Sequence, residues 1–206
     1  MLILSRDGEL YSFGVGEQGQ LGRMPIEDIK FHPEQKSRFL KPQQVTVSDN
    51  AEVVFDRIWG GNFTSYARTR QGRLFAWGLN NYSQLGFPTP PAVPSGDGVA
   101  PPAQQFVNPF PIDVTDNFPA GETIEDVACG QHHTLVRMAS GKVYSFGRFH
   151  YGRLGLGELT ADVTKPTLIE TLKDEKVIQI ACGNESSFFV TDDGKLSITQ
   201  STFHLA

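Results

Sequence analysis

Residues 6–22 read RDGELYSFGVGEQGQLG. Gly14-Val15-Gly16-Glu17-Gln18-Gly19 fits G-x-G-x-x-G directly after the apolar run Leu10 to Phe13. Glu34 lies about twenty residues beyond, where a dinucleotide fold keeps its ribose acid. Such a loop must open a helix, and Leu21-Gly22-Arg23-Met24-Pro25 has no helical pattern. The stretch also recurs, as RQGRLFAWGLNNYSQLG at 70–86 and ASGKVYSFGRFHYGRLG at 139–155. Each copy runs turn glycine, polar residue, alternating apolar strand, aromatic-Gly, polar loop, Leu-Gly. Only the first fills its loop with G-x-G-x-x-G, so these glycines are scaffold and not a nucleotide cradle.

The turn glycines Gly8, Gly72, Gly141 and Gly194 return about every 50–70 residues. Gly61, Gly130 and Gly183 precede the last three of them at one constant interval. Thr134 to Arg137, the turn Ala139-Ser140-Gly141 and Val143 to Phe146 read as a hairpin, with period-two alternation and glycine at the turn. The third unit is expected to hold four strands, near Thr123 to Cys129, Thr134 to Arg137, Val143 to Phe146 and Pro166 to Thr171. Glycine-rich all-strand units of this size predict a β-propeller of four-stranded antiparallel blades. Repeat hairpins are expected near 1–14, 58–78, 127–147 and 180–196. Loop insertions are expected at 24–43 and at 87–119, which holds nine of the 13 prolines.

The 206 residues, 39% of them hydrophobic, suffice for one packed domain. Net charge is −5 with no run of like charge, which gives no whole-chain attraction to nucleic acid. No apolar run is long enough to span a membrane, and no small-molecule substrate is expected. The two cysteines, Cys129 and Cys182, point to an intracellular protein without a disulfide framework. Each sits in Ala-Cys-Gly, which suits an inner strand where blades converge; a ligand pair or disulfide is the sharper alternative. The five histidines, His32, His132, His133, His150 and His204, show no metal-ligand spacing beyond the adjacent pair. No cofactor, metal or covalent chemistry is expected.

The successive stretches DGELYSFGVGEQGQLG, GLNNYSQLG, GQHHTLVRMASGKVYSFGRFHYGRLGLGE and ACG with VTDDGK resemble, in order, the C-terminal half of the regulator of chromosome condensation family. That family is a seven-bladed propeller acting as exchange factor for the small GTPase Ran. The resemblance covers roughly Met1 to Lys195 and implies three to four of seven blades, an open partial propeller. Leu2 corresponds to Leu135, and the aromatic-Gly is missing after Lys195, which reads as a partial chain or truncated gene product. It further implies nuclear, chromatin-associated action through Ran and, in an intact parent, histones of the nucleosome. The family's wedge hairpin, an acidic residue and its basic tail would precede Met1, so the chain alone is expected to be a poor exchange factor. Leu2, Leu4, Phe188, Phe189 and Val190 are expected near uncovered ends of the arc, favouring association.

The resemblance places three residues on the GTPase-facing surface. His132 matches the first histidine of the family's Gln-His-His, while His133 should point the opposite way, into packing. Arg23, after Gly-Gln-Leu-Gly, matches an arginine that contacts Ran. Ser83 stands where the family carries another histidine, which implies a weaker or different contact. Glu185, in Gly183-Asn184-Glu185-Ser186, resembles the missing acidic motif only superficially. A propeller scaffold of the same repeat class without exchange activity is the alternative reading.

Overall fold

The computed structural model describes residues 1–25, 39–47, 53–90 and 105–199. Glu34, His32, His204, most of the first expected insertion and residues 91–104 of the second lie outside these residues. The described chain is all-β, in four antiparallel sheets. The first contains β1 (Leu2–Leu4), β2 (Leu10–Ser12) and β3 (Gln43–Gln44). The second contains β4 (Phe55–Gly60), β5 (Thr64–Thr69), β6 (Leu74–Leu79) and β7 (Val107–Asp113). The third contains β8 (Ile124–Cys129), β9 (His133–Met138), β10 (Val143–Gly147) and β11 (Val163–Leu168). The fourth contains β12 (Val177–Cys182), β13 (Ser187–Thr191) and β14 (Leu196–Thr199). Strands neighbour one another in chain order, as in propeller blades.

The core lies in the seams between consecutive sheets. Leu10, Val45, Phe55, Phe75 and Trp77 fill the first seam, and Tyr66, Leu74, Val136, Met138 and Phe146 the second. Leu135, Val143, Ile180 and Phe189 fill the third. Because alternate side chains point to opposite faces, β5 and β6 supply both of their seams and are buried at every position. The aromatic-alternating strands of the repeat are therefore sandwiched middle strands.

A hydroxyl clasp recurs at each seam. The residue before each Leu-Gly offers its carbonyl to the next blade. Ser65 Oγ donates to Gln20 at 2.9 Å, Thr134 Oγ1 to Gln84 at 2.8 Å, and Ser187 Oγ to Arg153 at 2.7 Å. Each such bond contributes about 1 kcal/mol, and each carbonyl takes a second donor, from Trp77 Nε1, Tyr66 Oη and Thr199 Oγ1 in turn. The second seam is also bolted by charge. Arg68 forks onto Asp56 and donates to the Ile124 carbonyl, and Trp59 Nε1 reaches Asp126 at 2.8 Å.

Three sequence expectations need correction. The last strand of the third unit is Val163–Leu168 and not Pro166 to Thr171, because Ile169 and Leu172 turn inward to fill the third seam and 170–172 becomes a short 3₁₀ turn. Residues 107–113, assigned to the insertion at 87–119, form the outermost strand of the second sheet. Its Pro109 and Pro111 are tolerated on an edge. Leu2, Leu4 and Phe189 are not on open faces: the leucines pack against the first seam, and Phe189 is buried in the third. The register instead puts Phe188 beside Ile198 and Val190 beside Leu196 on the uncovered side of the fourth sheet. Leu196 and Ile198 are 60% and 53% exposed. Covering such side chains is worth about 1.5–3 kcal/mol each. The 206-residue chain is therefore expected to self-associate with rising concentration in light scattering, and Leu196→Lys with Ile198→Lys should reverse this. A wild-type monomer at every concentration would contradict it.

Candidate functional site

Strand order fixes which connections share a rim. The β2–β3, β4–β5, β6–β7, β8–β9, β10–β11 and β12–β13 connections emerge on one side, and the short glycine turns on the other. Arg23, Ser83 and His132 all belong to the first group. They share a rim.

His132 ends the tight β8–β9 connection and is half-buried. Its ring meets Tyr82 edge-on at 4.8 Å and lies nearly parallel to Phe63 at 6.2 Å. The Arg148 guanidinium lies 4.8 Å over the other aromatic partner, Tyr82. Burial, then the charges of Arg148 and Arg153, hold the His132 imidazole below its usual pKa, partly opposed by Glu185. The ring is thus neutral at physiological pH, part of an aromatic shelf with an arginine on its edge.

His133 points the other way, as strand alternation requires, and is 1% exposed. Ser187 Oγ gives its hydrogen to the Arg153 carbonyl, so the 3.0 Å contact with His133 Nε2 makes that nitrogen the donor. Gly130 leaves room for the ring, since a Cβ there would lie 2.2 Å from His133 Cε1. His133 is a packing residue that braces the loop of His132.

Arg153 is fully buried, donates from Nε to the His150 carbonyl at 2.8 Å, and approaches Glu185 at 3.4 Å. Its guanidinium also lies 5.5 Å from the Tyr151 ring centre. Tyr82, Arg148, Arg153 and Glu185 thus gather around His132 from three connections. Tyr82 and Tyr151 occupy the same repeat position, the signal by which they could have been found in the sequence.

The other two expected contacts sit differently. Arg23 donates from Nε to Ser12 Oγ at 3.0 Å and also reaches Met24 Sδ and Gln43 Oε1, which ties it to its own blade. Ser83 is only 2% exposed and adopts φ 59°, matching Gly19 and Gly152 in the other copies. Its side chain offers a partner nothing; the position serves the backbone of the turn.

Cys129 and Cys182 are free thiols at equivalent ends of β8 and β12. Burial pushes the Cys129 thiol up to about 12 and raises Cys182 as well. Cys182 Sγ donates to the Ala128 carbonyl at 3.3 Å. They are seam packing.

Comparison with known proteins agrees with this architecture. The model described as the regulator of chromosome condensation (RCC1) repeat matches residues 7–65, 71–137 and 140–190, and a second model of that description matches 124–153. The chain is 34% identical over 200 residues to the regulator of chromosome condensation of Mus musculus, covering 95% of itself and 44% of that protein. It is also 34% identical over 200 residues to the E3 ubiquitin-protein ligase HERC2 of Mus musculus, covering 95% of itself and 4% of that protein. Among solved structures, Prp20p from Saccharomyces cerevisiae, described with its binding properties to Gsp1p and histones, superposes with a TM-score of 0.74 at 24% identity. That match covers 96% of this chain and 42% of Prp20p. Human WBSCR16 superposes with a TM-score of 0.71 at 19% identity, covering 97% and 44%. The chain therefore spans less than half the length of these relatives. With repeat models matching most of its length on a propeller of four sheets, the chain belongs to the regulator of chromosome condensation (RCC1) repeat family.

Proposed function

We propose that this chain docks the rim bearing His132 onto a Ran-type small GTPase and favours its nucleotide-free state, so that bound GDP or GTP leaves faster. The observation that carries the reading is the His132 ring held between Phe63 and Tyr82 at the mouth of a seam. An aromatic shelf with an arginine edge is the composition of protein contact hot spots. Such a factor performs no covalent chemistry. Its action is a coupling of two binding events, so nucleotide rebinding must in turn displace it. Nuclear, chromatin-associated action and a histone partner belong to the same proposal, supported by the family and by Prp20p's described binding to histones.

Stopped-flow release of a fluorescent guanine nucleotide from Ran tests it. His132→Ala is expected to slow release about tenfold, the scale of one lost interface anchor. His133→Ala should act chiefly on stability, once matched for folded fraction. A wild-type chain that fails to bind nucleotide-free Ran would overturn the reading; weak acceleration alone would not, since the chain by itself is expected to be a poor exchange factor. A second reading, a scaffold of the same repeat class without exchange activity, is favoured by Ser83 being buried and Arg23 being engaged within its own blade. A pull-down that retains another stable partner but no Ran would select it.

A further inference from the structure

Five buried polar side-chain atoms at this seam lack a hydrogen-bond partner: the Nδ1 atoms of His132 and His133, Arg148 Nε, Arg153 Nη1 and, on the neighbouring blade beside Tyr82, Gln84 Nε2. Three of the five, those of Gln84, Arg148 and Arg153, are obligate donors. Leaving each unmet costs about 1–3 kcal/mol, so their concentration in one recess marks a place built to receive an acceptor. Charge points the same way. Two guanidiniums, Arg148 and Arg153, act on His132 against the one carboxylate of Glu185, which is 53% exposed and approaches Arg153 at 3.4 Å. Asp162, another acid of the β10–β11 connection, is taken up by the Phe149 N–H. The His132 ring adds no charge, which leaves the recess with a surplus positive charge.

We propose that this recess takes a carboxylate side chain of the docked GTPase, with Arg148 as its direct contact and Glu185 as the internal carboxylate that it supplements or displaces. The inference rests on the docking proposed above and adds the chemistry that the rim recognises. Arg148 suits the part because its guanidinium already rests 4.8 Å over the Tyr82 ring, so less freedom is lost on pairing. Arg153, wholly buried, sets the field behind it.

The test is the affinity of the full chain for nucleotide-free Ran at low and high salt. Arg148→Ala is expected to weaken binding about tenfold and Arg148→Glu further, with both losses shrinking at high salt. Arg148→Lys, which keeps the charge but not the planar stack, should fall between wild type and Arg148→Ala. Glu185→Gln should strengthen binding several-fold, since it removes the competing carboxylate, an effect that a purely structural role would not produce. Wild-type affinity in Arg148→Glu, or unchanged or weaker binding in Glu185→Gln, would overturn the inference while the docking reading stands. No binding of Ran by the wild-type chain would overturn both. Equal, salt-independent losses in Arg148→Ala and Arg148→Lys would reduce Arg148 to a prop for Tyr82 and also overturn it.

Discussion

Gly147→Ala is expected to destabilise the chain by roughly 3–5 kcal/mol and to disable the His132 rim even in molecules that stay folded. Gly147 ends β10 at φ 112°, a conformation open to glycine and costly for any residue with a side chain. It also lies under the β8–β9 connection. A Cβ there would lie 2.5 Å from the His132 carbonyl oxygen and 2.8 Å from the His133 Cα, so backbone rather than a yielding side chain stands in the way. Gly78 repeats the arrangement at φ 112°, with a Cβ meeting the Phe63 oxygen at 2.2 Å. This is the physical reason for aromatic-Gly in the second and third copies: the middle strand must pass beneath the inner loop that carries the rim residues. Gly14 provides the control. Its φ is 106°, but a Cβ there would meet only the Met1 nitrogen, at 3.7 Å. Gly14→Ala is therefore expected to cost about 1–3 kcal/mol, the backbone strain without the collision. Urea denaturation of the two variants checks the order. Equal losses at Gly14 and Gly147 would show that loop packing is not what the repeat glycine protects.

The blades were legible in the sequence because their signals are local. Turn glycines, alternation and Leu-Gly loops mark the middle strands, which are sandwiched and must alternate cleanly. The outermost strands β7 and β11 lacked that signal. One carries Pro109 and Pro111, the other Pro166, and edge strands tolerate both proline and weak alternation. The orientation of the histidine pair was legible for the same reason: adjacent strand residues face opposite ways. At Ser83 a family match attends to the side chain, whereas the repeat aligns it with Gly19 and Gly152, a backbone requirement. Tyr82, Arg148, Arg153 and Glu185 escaped because they converge across seams, from connections far apart in the chain. Only the clasp geometry brings the Gln84 and Arg153 loops against the next blade.

Acid should unfold this chain through His133. Burial, then the charge of Arg153, lowers its pKa from 6.5 to about 4 in the folded protein. The unfolded chain titrates at the ordinary value, so between these limits it binds the proton that the folded state refuses. Stability is fully present above pH 6.5, falls by up to about 1.4 kcal/mol per unit as pH drops through the window, and levels off for this group below pH 4. The whole loss is about 3 kcal/mol, a large share of a typical domain's margin. His132 is shifted in the same direction and adds to the slope. The carboxylates of Asp113, Glu122 and Asp193 are held below their usual values and contribute chiefly at the acid end, so the upper part of the window reports on histidine. His133→Asn removes the titrating ring and retains a donor for Ser187. It should lower stability near neutrality by about 1–3 kcal/mol and flatten the profile between pH 6.5 and 5. Urea titrations at half-unit pH steps separate the two effects. A slope in the variant as steep as in wild type would show that His133 does not carry the acid sensitivity. A flattened slope would tie the acid stability of the third seam to the residue that supports the His132 loop.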